Sequence, residues 1–110
     1  MITAAVAKTF GQAAPAAGVV TKLVAAAAGK NRHGMVRVQN CGAVMDLIAI
    51  AIVPGGGAPA TANWLPNPYP LRLYEILKWE IRIEAADEVY VMTTLGTSVF
   101  LADGMEATIG

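Results

Sequence analysis

Lys78-Trp79-Glu80-Ile81-Arg82-Ile83-Glu84 is the stretch on which the fold of this chain turns. Trp79, Ile81 and Ile83 take every second position, and Lys78, Glu80, Arg82 and Glu84 take the positions between. Successive side chains of a strand point to opposite faces, so this period puts all three apolar residues on one side. A helix would scatter them around its circumference. The segment reads as a half-buried β-strand whose other face is a charge ladder, met by solvent or by a neighbouring subunit. Glu80 and Glu84 sit in that ladder beside Lys78 and Arg82, an arrangement that does not suit a catalytic carboxylate pair.

The same period recurs on both sides. After a turn at 85–88, Val89 and Val91 alternate with Tyr90 and Met92. Upstream, Val36 and Val38 share one face of a strand over 34–40, opposite Met35, Arg37 and Gln39. The run 47–53, Leu-Ile-Ala-Ile-Ala-Ile-Val, is apolar throughout, the pattern of a strand buried on both faces by a second sheet or a neighbouring subunit. Pro54 stops it. A weaker alternation around Lys22 covers 19–25. Over 71–78, Leu73, Ile76 and Leu77 could make two helical turns, but alternation resumes at once and favours an extended segment.

Turn chemistry punctuates these runs. Gly29-Lys30-Asn31, Asn40-Cys41-Gly42 and Leu95-Gly96-Thr97 are turn signals. Asp103-Gly104 reads as a two-residue hairpin joining strands at 98–102 and 105–109. Seven to eight short strands at roughly 8–12-residue spacing, with no long helical pattern, predict an all-β fold. The expected architecture is an antiparallel β-sandwich or a jelly-roll-like one.

With 110 residues the chain has room for one such domain. Residues 1–18, rich in Ala and Gly, read either as a loosely ordered terminus or as an extended N-terminal arm, with Ile2, Val6 and Phe10 placed to dock on a neighbouring subunit. The sandwich then spans 19–110. Within it, 54–70 holds five of the six prolines, three consecutive glycines, Trp64 and Tyr69. A loop of that length usually serves contact or is disordered. Aromatics on a proline-stiffened loop lose little entropy on docking, so Trp64 and Tyr69 join the candidate contact residues; the other possibility is that the loop folds back and buries Trp64.

Composition points away from several functions. Hydrophobic residues make up 55%, charged residues only 15%, and the formal net charge is zero. So few charges cannot coat a small domain, and zero net charge favours association. Balanced charge also argues against a nucleic-acid footprint. The longest strongly apolar run, 47–53, is far short of the roughly 20 residues that span a bilayer. The N-terminus lacks the basic flank and apolar core of a signal peptide.

Chemistry-bearing residues are equally sparse. There is one histidine, His33, read as part of a polar turn over 30–34. The one cysteine, Cys41, reads as a small buried hydrophobe rather than a nucleophile. No His/Cys/carboxylate cluster has zinc spacing, and the glycines at 55–57 lack a phosphate-loop context. Asp46, Asp87 and Asp103 fall at expected turns, where Asp caps backbone amides. The sequence leads us to expect no catalytic residues, no metal and no cofactor.

The order of landmarks resembles a known group. Ala28-Gly29-Lys30 leads to a strand ending at Asn40; the 47–53 strand closes at Pro54; a loop reaches Pro70-Leu71. Ile83-Glu84-Ala85-Ala86-Asp87 then runs into Val89-Tyr90-Val91, followed by Ser98-Val99 and Gly104-Met105-Glu106. This series, over 19–107, resembles small β-sandwich virion proteins of tailed bacteriophages, of the head-decoration (cement) or tail-associated type. The resemblance implies a structural, non-enzymatic subunit, typically a homotrimer. Such a subunit sits on the outer head surface, binds the major capsid (coat) protein and stabilises its contacts. The alternative within the structural class is a tail-tip or fibre-associated protein that meets the host. No nucleic acid or membrane partner is implied.

Overall fold

The computed structural model describes residues 5–55, 58–60, 63–64 and 68–108. Eight strands follow in order: β1 (Val6–Ala13), β2 (Thr21–Val24), β3 (Lys30–Asn40), β4 (Asp46–Val53), β5 (Tyr69–Leu71), β6 (Ile76–Ile83), β7 (Glu88–Thr93) and β8 (Ser98–Thr108). They form two four-stranded antiparallel sheets, ordered β1-β8-β3-β6 and β2-β7-β4-β5. Every connection crosses between sheets except β4 to β5. Eight strands interleaved this way make a jelly roll.

The alternation explains the packing. Val36, Val38, Ile81, Ile83, Phe100 and Ala102 of the first sheet meet Leu23, Val24, Ile48, Ile50, Leu71, Val89 and Val91 of the second in one buried cluster. Trp79, Ile81 and Ile83 face inward together, and Lys78, Glu80 and Arg82 face out, as the period demanded. β4 is buried on both faces within the chain itself. Ile48 and Ile50 enter the core, while Ala49 and Ala51 lie buried on the outer side, paired across to the larger Met92 and Tyr90 of β7.

Several sequence readings are revised. Asp103-Gly104 is no hairpin: β8 runs unbroken through it, pairing β3 along its whole length and β1 on its other side. Gly104 lies opposite Gly34. A Cβ on Gly34 would overlap the Asp103 carbonyl oxygen, and one on Gly104 would overlap the carbonyl of His33. These glycines permit a close backbone approach rather than a turn. Asp103 instead pairs with Arg37, 2.7 Å away. The turn before β3 sits at Ala28 and Gly29, so Lys30 through His33 belong to β3 and His33 stands exposed on its outer face. Cys41 is exposed as well.

Where the sequence suggested an arm over 1–18, the structure pairs Val6–Ala13 with β8 as an edge strand. Only Phe10 and Ala13 of this strand pack against the core, which leaves little periodicity to detect. Gly11 lies inside the strand beside the Leu23 carbonyl, where no Cβ would fit.

Candidate functional site

Because strands alternate between sheets, the connections β1–β2, β3–β4, β5–β6 and β7–β8 emerge at the same end of the sandwich. Backbone bonds confirm that they meet. Gly18 N–H donates to Thr93 O at 2.8 Å, Cys41 N–H to Thr97 O at 2.9 Å, and Tyr74 N–H to Asn40 O at 3.1 Å.

Beneath them lies a buried polar knot. The Asp46 carboxylate, fully buried at the start of β4, accepts from the hydroxyls of Thr93 and Ser98, the latter at 2.6 Å. It also accepts from the Leu95 amide at 2.9 Å. Burial alone would raise this carboxyl's pKa. The bonds from Ser98, Thr93 and the Leu95 and Leu47 amides outweigh burial and hold it below the ordinary carboxylate value. Asn40, also fully buried, donates to the carbonyls of Val44 (2.7 Å) and Leu71 (3.1 Å). Its oxygen accepts from the Gly42 amide and the Thr97 hydroxyl, both at 2.9 Å. Asn40 bonds to β3–β4, β5 and β7–β8, and Asp46 to β7, β7–β8 and β8. A satisfied network of this kind rigidifies what it holds.

The large side chains these loops present to solvent are mostly apolar, with Arg72 and Thr94 exposed among them. Val19 and Val20 extend from β1–β2, Val44 and Met45 from β3–β4, Leu73 and Tyr74 from β5–β6, and Leu95 from β7–β8. Leu47, Ile76 and Val99, at the starts of β4, β6 and β8, continue the patch. Val44 is 61% exposed and Tyr74 70%. Tyr74 also has a φ of 60°, a left-handed conformation that is uncommon for a bulky residue. The hydrogen bond its N–H donates to the Asn40 carbonyl helps hold it there. A groove of about 500 Å³, lined by Gln12, Arg37, Gln39, Ile76, Val99 and Leu101, runs from this end onto the outer face of the first sheet. Among the described residues, the opposite-end connections 25–29 and 84–87 carry no exposed large apolar side chain.

Among the described residues, the contact residues singled out from sequence are not part of this apolar loop end. Ile2 falls outside the described residues. Val6 is exposed at the start of β1, whereas Phe10 packs on the core with its ring 5.9 Å from the Arg32 guanidinium. Trp64 is half-buried and bridges to Ala51 of β4. Tyr69 packs on the core, its hydroxyl 3.5 Å from Glu75. The apolar loop end was missed because its residues are scattered in sequence and lack periodicity. The available signal was a pair of large apolar residues within each of three turns: Val19-Val20, Val44-Met45 and Leu73-Tyr74.

At the far end a second polar group is buried between the sheets. Arg32, 5% exposed, donates to Ala25 O at 2.9 Å and stands across the ladder from buried Glu106. Glu106 pairs with Lys8 at 3.3 Å. Burial lowers the Arg32 pKa, and the charges of Glu106 and Asp87 counter this. On the second sheet Lys22 bonds Glu88 at 2.8 Å; the pair raises the lysine's pKa and lowers the carboxylate's. Among the described residues, no three His, Cys, Asp or Glu side chains gather as metal ligands would. His33 stands 3.9 Å from Glu80.

Comparison of the sequence with models of protein families and with curated proteins finds no match. Among solved structures, the chain is similar to one from the crystal structure of the T13 viral particle of IBDV, with a TM-score of 0.56 and 12% identity. The match covers 99% of this chain and 31% of that one, so this chain spans under a third of its structural neighbour's length. At that identity the likeness is one of fold. It sets the jelly roll described here beside a chain of an icosahedral virus particle.

Proposed function

We propose that this chain is a structural subunit of a virus particle, of the decoration (cement) kind, that seats its apolar loop end on coat protein at the outer surface of the head. The observation that carries the reading is the gathering of exposed Val, Leu, Met and Tyr side chains on loops braced by Asn40 and Asp46. A contiguous apolar patch on a weakly charged domain marks a protein interface. Fixing its loops beforehand lowers the ordering cost of association. The jelly-roll likeness to a virus-particle chain supports the same reading, and so does the order of landmarks that resembles phage decoration proteins. The role is non-enzymatic: recognition comes from buried apolar area, at about 25 cal/mol per Å² before association costs are subtracted.

The test is co-sedimentation of the purified chain with isolated coat shells that lack it, comparing wild type with V44S/Y74S. Both side chains are exposed, so the variant should keep its unfolding midpoint while losing shell occupancy. Equal occupancy by the variant would refute the loop end as the contact. Wild-type binding to tails rather than heads would move the protein to the tail-associated alternative.

A further inference from the structure

The jelly roll has four sheet edges, and three are poor templates for another strand. β1 is bulged between Thr9 and Gly11. β2 has only four residues and a register shift between Lys22 and Val24. β5 has three residues, one of them Pro70. β6 differs: it runs eight residues without proline or bulge, in unbroken register with β3. Its other side has no strand neighbour among the described residues. A long, regular edge strand with open N–H and C=O groups invites pairing unless its side chains prevent it.

Its outer face carries Lys78, Glu80 and Arg82, followed by Glu84, all exposed. Edges protected by charge rely on like charges repelling one another. The alternating signs here can instead cancel. When two copies of β6 pair antiparallel about a two-fold axis normal to the sheet, residues on the same face must meet. A register centred on Ile81 sets Glu80 of each copy opposite Arg82 of the other, and Lys78 opposite Glu84. Shifting the centre to Glu80 opposes Glu80 to itself and Lys78 to Arg82. Shifting it to Arg82 opposes Arg82 to itself and Glu80 to Glu84. The Ile81 register joins every charge of the ladder to its opposite, and it sets half-buried Trp79 against Ile83 of the second copy. Within one chain the ladder is little used: among the described residues its single ion pair is the exposed 3.9 Å contact of Glu80 with His33.

We infer that two copies of this chain pair through their β6 edges, in the register centred on Ile81, joining two four-stranded sheets into one of eight strands. The contact is isologous, as a two-fold requires. It is separate from the apolar loop end and does not depend on the coat-binding reading. Being a single strand pair, it is weak and concentration-dependent, and exposed ion pairs make it weaker in high salt.

The test is sedimentation equilibrium on the full chain across a concentration series, with E80R, R82E and the double swap E80R/R82E. Either single substitution brings like charges together twice by symmetry and should weaken the dimer by about tenfold or more. The double swap restores opposite charges and should restore dimerisation. Mixing the two single variants should give a heterodimer, because each supplies what the other lacks. A wild type that stays monomeric at the highest concentration, or forms a trimer, would overturn the proposal. So would single variants that dimerise like wild type, or a mixture that stays monomeric. Unfolding midpoints of the variants show whether any loss is one of folding, and the mixture succeeds only if both are folded.

Discussion

Replacing Asp46 by alanine removes the carboxylate at the centre of the loop-end knot. Three close donors lose their acceptor: the hydroxyls of Thr93 and Ser98 and the amide of Leu95. A hydrogen bond to a charged group contributes about 1.5–3 kcal/mol, and desolvation of the buried carboxylate offsets several kcal/mol of that sum. The truncation should therefore cost about 3–4 kcal/mol, much of it from the Leu95 amide left without a partner. Against a total stability of about 5–15 kcal/mol this is a large fraction. With a urea m-value of about 1.5 kcal/mol/M, the midpoint should fall by roughly 2–3 M. D46N keeps an acceptor for Leu95, and Ser98 can rotate to accept from the new amide, so its loss should be smaller. Acid titration supplies a second readout. The folded-state pKa of Asp46 lies below its unfolded value of about 3.9, so its contribution is present above that pH and is lost as pH falls through the lower folded value. D46A should lack that acid-sensitive component. Amide signals of Val44, Tyr74 and Leu95 should broaden in D46A while those of Ile81 stay unchanged. A D46A stability within about 0.5 kcal/mol of wild type would refute the knot as the brace of this surface.

Further outcomes follow from the same geometry. Gly34→Ala should cost more than about 3 kcal/mol because its Cβ meets the Asp103 backbone; Gly18→Ala, open in space but at φ 71°, should cost only about 1 kcal/mol, and urea unfolding orders the two. Glu106→Ala removes the buried carboxylate that stands across the ladder from Arg32 and pairs with Lys8, and should cost about 1–3 kcal/mol, whereas R32M/E106L should recover most of it; a double variant as unstable as the single would show that the Arg32 charge is balanced elsewhere. Deleting residues 1–11 strips β8 of most of its β1 partner and uncovers Arg32 where Phe10 lies over it. The truncated chain should unfold at lower denaturant or be insoluble, and an unchanged midpoint would show that β1 contributes little to the fold.

The two-layer β architecture was readable wherever a strand lies half in the core. Trp79, Ile81 and Ile83, like Val36 and Val38, announce their inward face because burial on one side selects every second residue. β1 was not readable in this way, because an edge strand that buries little needs no alternation. Asp103-Gly104 misled for a different reason. Glycine is selected both by turns and by close backbone approach, and only the position of Gly34 across the ladder distinguishes the two.

The candidate surface divides along the same line. Low charge and a high apolar fraction already marked a chain suited to assembly, and the β6 ladder was visible as alternating signs. Its meaning as a self-complementary edge waited on the sheet order that leaves β6 outermost. The loop end is wholly tertiary: Val20, Val44, Tyr74 and Leu95 are far apart in sequence and come to one end of the sandwich because the connections that carry them all cross between the sheets there. Local pattern determines which face of a strand is buried, since that depends on a period of two. Which turns converge, and which edge stays open, depends on the pairing of strands remote in the chain, and no local period encodes that.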